Sequence, residues 1–236
     1  CSCSSIPLFI GFTSAGLPLG VTFSFLISSP MVDLGSLVLL MSIFGAKVAI
    51  VYVLFGLLIA VVGGMIIEKF GLENEVEDFI MNSPKGIELE DAQIGKRERV
   101  IFAKNAVVET FKKVFPYILV GVGIGAIIHN WIPETLIVKV LGGNNPFGVI
   151  LATLVGVPMY ADIFGTIPIA EALLSKGAML GTVLAFMMGV TTLSLPSMIM
   201  LRKAIKPKLL YVFITITTIG IVIVGFIFNV LQNIFI

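Results

Sequence analysis

Histidine and tryptophan each occur once in this chain of 236 residues, at His129 and Trp131, and cysteine twice, at Cys1 and Cys3. With one imidazole, most acid–base schemes lack a partner. No His-Glu-x-x-His zinc motif, Gly-x-Ser-x-Gly elbow or Walker lysine loop is present, so the chain reads as a non-enzyme and no cofactor is expected. His129, two residues from Trp131, reads as interfacial rather than as a ligand. Charge is sparse too: Asp, Glu, Lys and Arg make up 12% of the chain and net to +1. The basic residues do not gather on one polar face, which excludes a nucleic-acid surface of the usual kind. A secretory signal, with charged start, short apolar core and cleavage site, is not visible. Cys1 and Cys3 are too close for a comfortable disulfide and do not fix the redox compartment.

What is abundant is apolar surface. Hydrophobic residues make up 58% of the chain, and the mean hydropathy is +1.11. A soluble chain of this length cannot bury that much, whereas a bilayer asks for ~20 apolar residues per spanning helix. The fold class expected is an all-α polytopic membrane protein. Full-length candidates lie at 19–43, 46–67, 114–131, 178–201 and 209–232, and shorter apolar pieces at 6–15, 145–158 and 163–174. The shorter pieces cannot cross ~30 Å of hydrocarbon at ~1.5 Å per residue. Three regions follow: a first membrane repeat at 1–67, incomplete at its N-terminal side, a charged loop at 68–113, and a second membrane repeat at 114–236. In the loop, Val100, Val107, Val108, Phe111, Val114 and Phe115 share one helical face. That fits an amphipathic helix on the membrane surface, or a plain extension of the span that follows Pro116.

Charge gives orientation. Of 15 Lys and Arg, eight lie from Lys69 to Lys113 and four from Arg202 to Lys208, leaving Lys47, Lys139 and Lys176 for all other loops. The positive-inside rule places 68–113 and 202–208 in the cytoplasm of a multi-pass protein of the inner, cytoplasmic membrane.

The chain also overlaps itself at a shift of 161 residues. "IPLFIGFTSAGLPLGVTFSF" lies on "IPIAEALLSKGAMLGTVLAF", with Pro7/Pro168, Gly16/Gly177 and Gly20/Gly181 among the identities. Matched Pro and Gly matter because they fix backbone breaks. Charge-derived orientations make the two copies run in opposite directions, the inverted-repeat plan of many secondary transporters. Residues 145–175 must begin and end outside, so they form a re-entrant hairpin with its tip at "GVPMYADIFGTIP". By the repeat, "CSCSSIP" is half of an equivalent tip whose first segments are absent. A lipidated terminus and a metal pair are the other readings of these cysteines. Breaks are expected at Pro7, Gly16, Gly156, Pro158, Pro168, Gly177 and Pro196.

The candidate solute and ion pathway is built from residues at those breaks. Cys1, Cys3 and Ser4 lie at one tip and Tyr160 and Asp162 at the other; Ser28, Ser29 and Pro30 interrupt 19–43, and Thr191 and Thr192 interrupt 178–201. Ser, Thr and Pro at mid-membrane are tolerated where they line a cavity or pack in protein. Asp33, Asp162 and Glu171 are acids in apolar segments, where charge is costly and usually serves as ion ligand or proton carrier. Cys1 and Cys3 are soft ligands suited to As(III), Cu(I) or Zn, the plain alternative being small residues packed at a helix break. Tyr160 would stack on a substrate or fill the tip, and Glu171 would line the path or reach headgroups.

The blocks "CSCSSIPLFIGFTSAGLPLGVTFSFLISSPMV" and "GVPMYADIFGTIPIAEALLSKGAMLGTVLAFMM" resemble the two signature blocks of the predicted permease family that includes the organoarsenical efflux permeases, most of all its YraQ-like branch. The family's blocks fall on Cys1, Cys3, Pro7, Gly16, Pro30, Gly156, Pro158, Tyr160, Asp162, Pro168, Lys176 and Gly177. The resemblance implies a permease and, for some relatives, export of trivalent arsenicals or metals. Arsenical members often carry a cysteine near the position of Asp162, and this chain has none there. The function expected is gradient-driven export of a small metal(loid) or inorganic solute, with a non-transporting membrane subunit of a larger complex as the alternative. Expected partners are the lipid bilayer, the solute, a separate chain supplying the missing segments and a second copy in a homo-oligomer.

Overall fold

A computed structural model describes residues 2–77, 147–159 and 161–232, with single positions between 80 and 141. Within those stretches the side chains of Ser2, Cys3, Ser4, Ser36, Glu73 and Asn74 are not described. Cys1, Tyr160 and most of 114–131 lie outside the described residues, as does most of the charged loop. Between 97 and 119 every described position is helical, and the rings of Phe111 and Phe115 lie 5.0 Å apart.

The described elements are helical. They are α1 (Ser2–Ser14), α2 (Leu19–Ser28), α3 (Leu34–Phe44), α4 (Ala46–Lys69), α5 (Gly148–Gly156), α6 (Ile163–Ser175), α7 (Leu180–Thr192), α8 (Leu195–Leu201) and α9 (Pro207–Val230), with a 3-10 turn at Leu72–Glu75. Among the described residues, three stretches are long and apolar enough to cross a membrane: Ala46–Lys69, Leu180–Leu201 and Pro207–Val230. The first and last have 24 residues each, or ~36 Å of helix against ~30 Å of hydrocarbon. Their outer faces expose Ile50, Leu54, Leu58, Ile219, Ile223 and Phe226, as lipid-facing helices do. All 13 residues of α7 are buried, so this helix is the centre of the bundle. It packs on α5, α6 and α9, while α4 packs on α2, α3 and α9.

Some of the expected breaks are present and others are not. Segment 19–43 is two helices, because Ser28, Ser29 and Pro30 end α2 and the chain turns through Val32 and Asp33 before α3 starts. Pro7 and Pro168 do not break the chain; each sits inside a continuous helix, α1 and α6. A proline removes one hydrogen bond and crowds the carbonyl four residues back, but it does not end a helix that packing holds on both sides of it. α5 therefore ends at Gly156 and α6 begins at Ile163, and "CSCSSIP" is helical from Ser2. Gly156 and Pro158 do lie at the end of α5 and in its turn, and Pro196 starts α8 after a break at Leu193–Ser194.

Helix boundaries recur at one offset. Residues 161 apart bound α1 and α6, begin α2 and α7, begin α3 and α8, and bound α4 and α9. Gly16 and Gly177 stand at that spacing too, in left-handed backbone with φ of 86° and 78°, a conformation glycine adopts without strain. Contacts repeat as well. α2 crosses α4 where Gly20 meets Gly64, and α7 crosses α9 where Gly181 meets Gly225. Around the first pair stand Ser24 and Glu68; around the second stand Ala185 and Asn229, at the corresponding positions. α4 and α9 are antiparallel: Gly63 meets Ile216, Ile59 meets Gly220, and the Phe55 ring lies 5.8 Å from Phe228.

After α4 the chain joins the α8–α9 connection. Val76 and Ile205 form an antiparallel bridge. Glu77 N–H donates to the Ala204 carbonyl at 3.0 Å, and Lys206 N–H donates to that of Glu75 at 2.7 Å. Arg202 and Lys208 face Glu77 and Glu75 at 3.4 and 3.7 Å. The acidic start of the charged loop thus meets the basic segment 202–208.

Candidate functional site

Interrupted helices leave backbone and hydroxyl groups that must find partners, and here the interruptions converge. Ser5 on α1 reaches Ser29 at the end of α2, Oγ to Oγ 2.6 Å. Ser194 in the α7–α8 break pairs with Ser197 at 2.6 Å. The hairpin turn joins them, since Leu195 N–H donates to the Val157 carbonyl at 2.8 Å. Between the two breaks lies a cavity of about 20 Å³, bounded by Ile6, Leu26, Pro30, Thr192, Ser197, Met198, Leu201 and Phe213. It holds roughly one water-sized guest. None of these lining residues carries a charge, and the polar groups offered are hydroxyls.

Thr192 is the telling member. It is 5% exposed, and its Oγ1 has no hydrogen-bond partner among the described residues. A buried hydroxyl left unpaired costs about 1–3 kcal/mol, so a folded protein retains one only where something offsets that cost. Its neighbour Thr191 is satisfied instead, donating to the Met187 and Met188 carbonyls at 2.9 and 3.2 Å.

Residues 1–230 match the family described as predicted permease. The chain belongs to that family. Among curated relatives, the predicted permease is 22% identical to UPF0718 protein MJ0584 of Methanocaldococcus jannaschii, over 98% of this chain and 78% of that protein. It is 25% identical to UPF0718 protein YraQ of Escherichia coli K12, over 95% of this chain and 62% of YraQ. A shorter match, 37% over 31% of the chain, is to UPF0718 protein YcgR of Bacillus subtilis 168. No solved structure matches it. A permease is a transporter rather than an enzyme, and its apolar helices place it in a membrane as a multi-pass protein.

The cavity gathers Pro30 and Thr192 from the predicted pathway, with Ser29 one bond away through Ser5. Ser28 is turned back on its own helix, donating to the Phe25 carbonyl at 3.2 Å. The acids are elsewhere. Asp33, Asp162 and Glu171 are not covered by the other described residues. Asp162 instead caps α6, its Oδ1 accepting from Ile163 N–H at 2.9 Å. Asp33 and Asp162 do come to the same region, because Gly35 packs on the ring of Phe164, the second residue of α6. Cys1 and Tyr160, and the side chains of Cys3 and Ser4, lie outside the description, so the proposed soft-metal pair does too. No cluster of three or more His, Cys, Asp or Glu occurs among the described residues. Sequence reasoning missed Ser5, Ser197 and Met198. The only signal for Ser197 was its place one residue after Pro196, on the first turn beyond a break.

Proposed function

We propose that this predicted permease carries out gradient-driven export of a small metal(loid) or inorganic solute, through a path at the paired helix breaks. The observation that carries the reading is the uncharged cavity between the two breaks, with the unpartnered Thr192 hydroxyl in its wall. Discontinuous helices in both halves of a transporter are where substrate and coupling-ion sites lie. The common offset of the helix boundaries, with α4 antiparallel to α9, supports an inverted duplication with its axis near Ile59 and Gly220. On this reading, residues 145–175 are a re-entrant hairpin, and 68–113 and 202–208 face the cytoplasm of the inner membrane. The meeting of Glu75 and Glu77 with Lys208 and Arg202 supports one side for both segments.

Cys1 and Cys3 enter the pathway as soft donors for a thiophilic solute, and Asp162 as its coupling carboxylate. The test is uptake by inside-out vesicles holding the full-length protein, with arsenite, Cu(I), Zn and sulfur oxyanions offered in turn. Asp162→Asn keeps an N-cap and removes the charge, so protein level and folding survive while transport of the accepted solute is lost. Normal transport by Asp162→Asn sinks the assignment of Asp162. Failure of the parent to move any of these solutes sinks the solute class.

A further inference from the structure

We propose that the pairing of residues 72–77 with 202–208 is a latch that closes the cavity on the charged-loop side and must open for solute to pass. The inference rests on the permease reading and concerns the regulation of the same site.

The latch is tied directly to the cavity wall. Leu201, the last residue of α8, lines the cavity, and its carbonyl accepts from Ala204 and Ile205 N–H at 2.9 and 3.0 Å. Ile205 is the residue bridged to Val76. One short turn of chain therefore separates the wall from the clasp. Beneath the ion pairs the contact is apolar and dry, with Val76 1% and Ile205 0% exposed. Arg202 joins two layers, since Nη1 meets Glu77 Oε1 at 3.4 Å and donates to the Ile205 carbonyl at 3.2 Å.

The strengths of these contacts suit a gate. Its ion pairs are solvent-accessible, with Arg202 45% and Lys208 68% exposed at the side chain, and such pairs contribute little to stability. Among the described residues one pair is bridged here, with two backbone hydrogen bonds. The latch also joins the two halves, because 72–77 follows α4 and 202–208 precedes α9. By contrast, Gln232 Oε1, which accepts from Leu180 N–H at 3.2 Å, ties helices within one half. A contact between halves with a small buried centre and solvent-accessible ion pairs, joined to a cavity wall, is where a closed state is held and released.

Two experiments on the full-length protein in membranes test this. The first needs no solute: Ser197→Cys reports cavity access through its rate of modification by N-ethylmaleimide, read by mass spectrometry on the peptide carrying residue 197. Adding Glu75→Gln and Glu77→Gln should raise that rate roughly three- to thirty-fold, the shift expected when two exposed ion pairs are lost from a closed state. An unchanged rate overturns the latch. In the second, Val76→Cys with Ile205→Cys is oxidised. These positions face each other as a pair without mutual hydrogen bonds, a register with Cα atoms ~4.5 Å apart that accepts a disulfide. The cross-linked protein should show at least a ten-fold loss of arsenite transport, restored by dithiothreitol, with either single cysteine unaffected. Full transport with the bridge closed overturns the latch. If the parent moves no arsenite, the solute reading has failed, and the maleimide rates decide the latch alone.

Discussion

At the scale of the residue, the informative group is a buried hydroxyl with no partner among the described residues. Thr192 is 5% exposed, at a site where valine has the same shape. Thr192→Val should therefore raise thermal stability, by up to ~1–3 kcal/mol of relieved desolvation. Transport should fall at the same time if the hydroxyl serves the pathway. Melting of the detergent-solubilised protein and vesicle transport check the two halves of that expectation, and a destabilised variant would mean the hydroxyl is bonded in the folded state. Asp162 adds a local role. Its place at a turn was legible in the sequence, but its carboxylate capping α6 was not, because the cap depends on where the helix after the turn begins.

At the scale of the element, breaks made by backbone chemistry were legible and contacts between elements were not. Ser28-Ser29-Pro30 and Ser194-Leu195-Pro196 announce interruptions, and Gly16 and Gly177 announce turns, because each acts on its own φ, ψ or N–H. Pro7 and Pro168 carry the same local signal but lie inside helices that neighbours hold together. The crossings at Gly20/Gly64 and Gly181/Gly225 were invisible, since nothing in a run of glycines says which one another helix will touch. They make a sharp prediction. A Cβ at Gly181 would strike the Gly225 carbonyl and Asn229, and this backbone cannot move aside as a side chain can. Gly181→Ala should cost ~1–3 kcal/mol or more of stability. Gly165→Ala, whose nearest neighbour would be the Ala161 Cβ at 3.5 Å, should be neutral or stabilising by ~0.5–1 kcal/mol of helix propensity. Equal melting temperatures for the two variants would mean the α7–α9 crossing is looser than described.

At the scale of the whole molecule, the question is whether the two halves are inverted in the membrane. The contacts of α4 with α9 bear on it directly. For two equivalent helices related by a two-fold axis, a contact between one position and a second implies a contact with the roles exchanged, centred on a position that meets its own counterpart. Ile59 meets Gly220, its counterpart at the common offset. On either side, Gly63 meets Ile216 and Phe55 faces Phe228, so positions pair in opposite order along the two helices. A parallel duplication would pair them in the same order. On the proposed inverted plan, with α4 and α9 each the length of a span, the turn at Gly16 and the turn at Gly177 belong on opposite faces of the bilayer. Both turns are exposed, which makes them fit for labelling. Cysteine placed at Ala15 should react with a membrane-impermeant maleimide only from the cytoplasmic side, and cysteine at Lys176 only from the outer side, in intact cells against inverted vesicles. The two reacting from one and the same side would rule out the inverted plan, whatever solute the protein carries.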